Sequence, residues 1–272
     1  MKAPTLLVLT DFSKAAEHAL HYATRLAGPL GAQLVLLHVR RDSVLDPEAL
    51  TGELDHLSTS AVQLALNSLA RGLPVPVVTE VGHGQVLDGV VEAVQRHHPV
   101  LVVVGRPNSD DFPDEVVSTT ALDILQHAPY PLLVVPSPVP HAGGVPRRLL
   151  LAADGEPFVL GEFAGSAHAL LRALHAELTV LHSAPPDGLG DATALESVLE
   201  SGLADDLPPP RPHHVQADSA AEGILATAQP ANCDAVMLLA RRRSVLGRLF
   251  HHSVTAHVVL HSTMPVLVLP VS

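Results

Sequence analysis

Short apolar runs alternate along this chain with longer stretches whose apolar residues recur at helical spacing. Strand-length runs lie near 5–9, 33–39, 75–81, 100–104 and 132–135. A second series lies near 149–153, 177–182, 213–217, 235–239 and 266–269. After Asp11, residues Ala16, Ala19, Leu20, Ala23, Leu26 and Ala27 share one helical face, and Gly28-Pro29 reads as the stop of that helix. The runs 33–39 and 100–104 are almost wholly apolar, as strands are when helices cover both faces of their sheet. Strands that alternate with helices predict parallel pairing through right-handed crossovers, a doubly wound α/β fold.

The two series are copies of one pattern. Thr5-Leu6-Leu7-Val8-Leu9-Thr10-Asp11 parallels Leu149-Leu150-Leu151-Ala152-Ala153-Asp154 at an offset of 143. Leu34-Val35-Leu36-Leu37-His38-Val39 parallels Leu178-Thr179-Val180-Leu181-His182-Ser183 at 144. The segment from His127 to Pro136 parallels that from His261 to Pro270 at only 134. The second copy has therefore lost about ten residues in its middle, where its second helix (roughly Asp191 to Leu203) is shorter than that of the first (roughly Pro47 to Ala70). Ser137 to Pro146, with three prolines and two glycines, reads as a linker. The expected domains are 1–138 and 147–272, joined by 139–146.

Composition narrows the function. Net charge is −12, spread over both halves: eight Lys and Arg against fifteen Asp and Glu in residues 1–142, and eight against thirteen in 143–272. Neither half offers the basic field that a nucleic-acid backbone requires, and aromatics at 3% give no base-stacking platform. No apolar run reaches the ~20 residues of a membrane span, and no signal-peptide pattern follows Met1. The expectation is a cytoplasmic protein that binds neither nucleic acid nor membrane. Cys233 is the only cysteine, which excludes an intrachain disulfide and a Cys-based zinc site; it reads as buried filler.

Thr10-Asp11-Phe12-Ser13, the Ala/Leu-rich helix after it, Gly31 to Val39, and His127-Ala128-Pro129 running into a Pro-Leu-Leu-Val-Val strand together resemble the universal stress protein family. The resemblance spans both copies and is closer in the first. It implies two tandem five-stranded parallel sheets of order 3-2-1-4-5. It also implies binding of ATP or AMP, and pairing through the last strands, which here would make an intrachain pseudo-dimer and leave room for a homodimer. ATP-binding members carry Gly-x2-Gly-x9-Gly-Ser/Thr after the fourth strand, where glycines admit the phosphates to the backbone and a helix start offers N–H groups. Those positions are Gly105, Asn108, Ser118 and Thr119, so only the first glycine and the final hydroxyl remain. Val104 and Thr120 flank them, and the adenine side maps to Asp11 and Val39. For Asp11 a turn role is an equal reading. The intervening Asp110, Asp111, Asp114 and Glu115 would repel a triphosphate unless a cation such as magnesium intervenes; as a solvated acidic loop they need no ligand.

In the second copy an ungapped match places Leu239, Arg242, His252 and Ser253 at the motif positions, with Asp154 and Ser183 on the adenine side. Leu239 would block close backbone approach. Arg241-Arg242-Arg243 suits either an anion or a contact with the acidic neighbouring domain. Among eighteen histidines no HExxH or Cys/His spacing marks a metal site, and no nucleophile elbow, Ser-His-Asp order or P-loop marks an enzyme. The expected function is a non-catalytic, stress-response nucleotide-binding or sensing module with degenerate phosphate loops. A nucleotide-free interaction scaffold is the alternative.

Overall fold

The computed structural model describes residues 3–40, 53–107, 119–139, 144–185, 193–241 and 253–272. The first copy runs β1 (Thr5–Leu9), α1 (Lys14–Leu30), β2 (Gln33–Arg40), α2 (Glu53–Arg71), β3 (Val77–His83), α3 (Val86–His97), β4 (Leu101–Arg106), α4 (Thr119–His127) and β5 (Leu132–Pro136). The second runs β6 (Arg148–Ala152), a 3-10 turn (Gly161–Phe163), α5 (Ala164–Ala173), β7 (Glu177–Ala184), α6 (Thr193–Glu200), β8 (Arg211–Gln216), α7 (Ala220–Thr227), β9 (Ala235–Arg241), α8 (Val254–His261) and β10 (Val266–Val271). Residues 47–52 and 191–192, expected at the starts of the two second helices, lie outside the described residues.

All ten strands form one sheet in the order β3-β2-β1-β4-β5-β10-β9-β6-β7-β8. Pairing is parallel within each copy and antiparallel where they meet, with Val134 opposite Val266, Leu133 opposite Leu267 and Leu132 opposite Val268. All six of these side chains are buried. Within each copy the order is the doubly wound one, and the crossovers place helices on both faces. One core lies under α1, α2, α5 and α6, built on Leu6, Val8, Leu34, Leu36, Leu149, Leu151 and Leu178. The other lies under α3, α4, α7 and α8, built on Leu7, Val35, Leu37, Val102, Val104, Val236 and Val268. Each core takes residues from both copies, so the seam between them is as apolar as either interior.

One expectation is corrected. Gly28-Pro29 does not stop α1, which continues to Leu30 with Pro29 inside its last turn. The stop is Gly31, at φ +57°, in the left-handed conformation that a glycine adopts without strain. There Gly31 N–H donates to the Gly28 carbonyl at 3.0 Å, and Ala32 N–H to Ala27 at 2.9 Å. These bonds close the helix end, while Leu26 and Ala27 stay buried in the core. A proline so near the C-terminus costs one backbone bond, and the cap outweighs it.

Candidate functional site

Between β1 and β4 the chain reverses its direction of winding, and the carboxyl ends of these strands flank the crevice where ligands bind in open α/β sheets. Thr10, just beyond β1, is buried and organises the turn. Its N–H donates to Leu37 O at 2.9 Å, its carbonyl accepts from His38 Nδ1 at 2.8 Å, and its hydroxyl accepts from Phe12 N–H at 3.1 Å. Asp11 then makes an Asx turn, Oδ1 accepting from Ser13 N–H at 2.9 Å. Ser13 in turn caps α1 by accepting from Ala16 N–H at 3.2 Å. The carboxylate is exposed, and its other oxygen has no protein partner among the described residues. The turn role and a ligand role for Asp11 are therefore compatible, each using a different oxygen.

Val39 stands at the end of β2, opposite Gly82 of β3. Its methyl groups fill the space above Gly89 of α3, where an added Cβ would come within 2.7 Å of Cγ2. Val104 is buried on the same side of the sheet. Gly105 shows a different reason for being glycine: a Cβ there would lie 2.3 Å from Ala15 O and 2.8 Å from Ala16 N. The first turn of α1 thus requires glycine at 105, whatever binds above it. Thr120 is half-buried at the start of α4, which follows β4 and so begins at the carboxyl edge of the sheet. Thr119 is the first residue of that helix. Asn108 and Ser118, with Asp110, Asp111, Asp114 and Glu115, lie outside the described residues.

Arg106, a residue the sequence reading passed over, is buried. It donates to Ser262 O, at the C-terminal end of α8 in the other copy, and to Pro107 O at 3.5 Å. A guanidinium there complements the helix dipole and ties the two copies together beside β5 and β10.

The corresponding crevice of the second copy is built differently. Strand register makes Leu239 the counterpart of Gly105, since Leu239 lies opposite Leu269 as Gly105 lies opposite Val135. The side chain fits because no helix begins where α1 does. Residues 156–160 carry no regular secondary structure, and α5 starts only at Ala164. Val159 exchanges two backbone bonds with Ser272, at 2.9 and 3.1 Å. Gly155, at φ +84°, takes the left-handed position that Phe12 occupies at φ 63° in the first copy.

Asp154, the counterpart of Asp11, is held by Arg241. The guanidinium reaches Oδ1 at 3.1 Å and Oδ2 at 3.3 Å, and also donates to Glu156 O at 2.7 Å and Pro157 O at 2.9 Å. Arg241 thus pairs with a carboxylate and carbonyls of its own domain. Arg242, Arg243 and His252 lie outside the described residues. A separation of 87 residues hides the Arg241–Asp154 pair from sequence reading; only an arginine at the end of a strand, beside an Asp just beyond the neighbouring strand, hints at it.

Among the described residues no helix is long and apolar enough to cross a membrane. The sequence model of the universal stress protein family matches residues 3–136 and again 146–270. Among solved structures, a universal stress protein from Archaeoglobus fulgidus superposes with a TM-score of 0.71 at 18% identity, over 99% of each chain. A further structure, described as a putative universal stress protein from Pseudomonas aeruginosa, gives 0.60 at 19% identity over 99% of this chain and 94% of its own. At these identities the likeness speaks for the tandem fold. No curated protein matches the chain.

Proposed function

Since the chain belongs to the universal stress protein family, we propose that it is a non-catalytic cytoplasmic stress-response module whose first domain binds an adenine nucleotide and whose second domain does not. The observation that carries this reading is the unequal state of two equivalent carboxylates. Among the described residues Asp11 keeps one oxygen without a protein partner at the β1/β4 crevice, whereas both oxygens of Asp154 are taken by Arg241. The first crevice is bounded by Asp11, Val39, Val104, Gly105 and the start of α4 at Thr119 and Thr120, which suits a base near the apolar wall and phosphates near the helix N-terminus. Asn108 and Ser118 would complete the phosphate side, with fewer glycines than close backbone approach favours.

ATP or AMP is therefore bound weakly, magnesium offsetting the four carboxylates between Asp110 and Glu115. The two copies work as a pseudo-dimer joined by β5 and β10. Calorimetric titration with ATP and AMP, with and without magnesium, tests the proposal. One weak site per chain supports it; no heat of binding up to millimolar nucleotide favours the alternative, a nucleotide-free interaction scaffold. Raising affinity separates two causes of weakness. If charge limits binding, replacing Asp110 and Asp111 with Asn tightens it. If backbone approach limits binding, only glycine at both 108 and 118 does. Approach is the stronger constraint, because several N–H contacts are lost together while salt screens charge repulsion.

A further inference from the structure

Each copy ends its second strand with a histidine held in the same way. His38 Nδ1 donates to Thr10 O at 2.8 Å, and His182 Nδ1 donates to Ala153 O at 3.2 Å. A carbonyl only accepts, so Nδ1 carries the proton in both rings and Nε2 is left with its lone pair. The surroundings then diverge. In the first copy the Phe12 ring packs on His38, centroids 4.9 Å apart, and β3 places Val81 opposite. In the second copy Gly155 replaces the aromatic ring, and β8 places His214 directly opposite His182. The two imidazoles lie 5.5 Å apart, with planes 15° from parallel. Neither His182 Nε2 nor either ring nitrogen of His214 has a hydrogen-bond or ionic partner among the described residues.

A histidine anchored through Nδ1–H on a carbonyl, with Nε2 free, is the arrangement that prepares imidazole for a metal. Distance supports the pairing. With Zn–N near 2.1 Å, each ring centroid sits about 3.2 Å from the ion, so two imidazoles at the tetrahedral angle have centroids roughly 5.2 Å apart. The observed separation is close to that, and His214, exposed on the sheet edge, can turn to converge. His257 and His261, one turn apart on α8, form a separate ring pair with centroids 4.3 Å apart. We propose that His182 and His214 form a site for a borderline d-block divalent cation of the Zn2+ class. Among the described residues no third protein ligand joins them, so water completes the shell. The chain's net charge of −12 favours cation accumulation. Bound metal would clip the exposed edge strand β8 to β7.

The test is a Zn2+ titration of the full chain, followed through long-range 1H–15N correlations of the imidazole rings. The expected result is a perturbation centred on the ring nitrogens of His182 and His214, with Nδ1 of His182 remaining protonated. His214→Val, which places in β8 the residue type that β3 carries, should weaken binding by about tenfold or more, while His257→Ala leaves it unchanged. Zn2+ binding that is unaltered in His214→Val, or perturbation confined to other histidines of the wild-type chain, overturns the proposal.

Discussion

Gly105 and Ala15 approach so closely that a Cβ on the glycine would lie 2.3 Å from the Ala15 carbonyl oxygen. The contact joins the end of β4 to the first turn of α1, and the second copy replaces both sides of it together, with Leu239 on β9 and irregular chain at 156–160. Gly105→Ala should therefore destabilise the protein by about 1–3 kcal/mol, as overpacking against immovable backbone does. Denaturant midpoints of the variant and the parent measure this. Gly105→Leu should in addition abolish nucleotide binding, while substitutions at Leu239 leave binding unchanged.

Arg241 fixes the loop that follows β6 by bonding Asp154 and the carbonyls of Glu156 and Pro157. Arg241→Ala should lower stability by about 1–3 kcal/mol, since hydrogen bonds to a charged donor are worth about that much net and the pair is partly exposed. It should not create a second nucleotide site, because Leu239 still stands where Gly105 does. Thermal unfolding and ATP titration of the one variant check both statements.

The antiparallel pairing of Leu133 with Leu267 hides two strands that would otherwise be apolar edges. Residues 1–138 produced alone should self-associate through β5, because a bare apolar edge strand pairs with any strand available. Light scattering of the fragment should give twice its chain mass or more. A stable monomer at tens of micromolar would contradict this.

Cys233 is buried, and burial chiefly, with the Asp234 carboxylate adding and Arg148 opposing, pushes its thiol up to about 11. A thiol in the unfolded chain ionises near 8.5, so the fold favours the neutral form. The resulting stability is complete below about pH 8.5 and is lost as pH rises towards the folded value. Unfolding free energy should decline between pH 8.5 and 10.5, with a shallower slope in Cys233→Ala. The native thiol should react with disulfide reagents only as fast as the protein opens.

The alternation of apolar runs made most of the fold legible, since strand spacing and the offset near 143 depend on burial, which composition reports directly. The shrinking offset also located the shorter helix, α6 against α2. The end of α1 was misread because Gly28-Pro29 is a stronger local breaker than Gly31 alone, and only the buried face and the Ala32–Ala27 bond decide between them. At the site, Asp11 and Gly105 were visible as types. Their second reasons, an Asx turn and the contact with Ala15, were not, because each depends on where a neighbouring element begins. The pairs Arg241–Asp154 and His182–His214 join residues that are not local in sequence, which no local pattern encodes.

The central claim is that adenine nucleotide occupies the first crevice and not the second. Titrating ATP into 15N-labelled protein and following backbone amides tests it directly. The account predicts shifts at Asp11, Val39, Gly105 and Thr120, with Asp154, Ser183 and Leu239 unmoved. Shifts at the second group, or none at either, would contradict it.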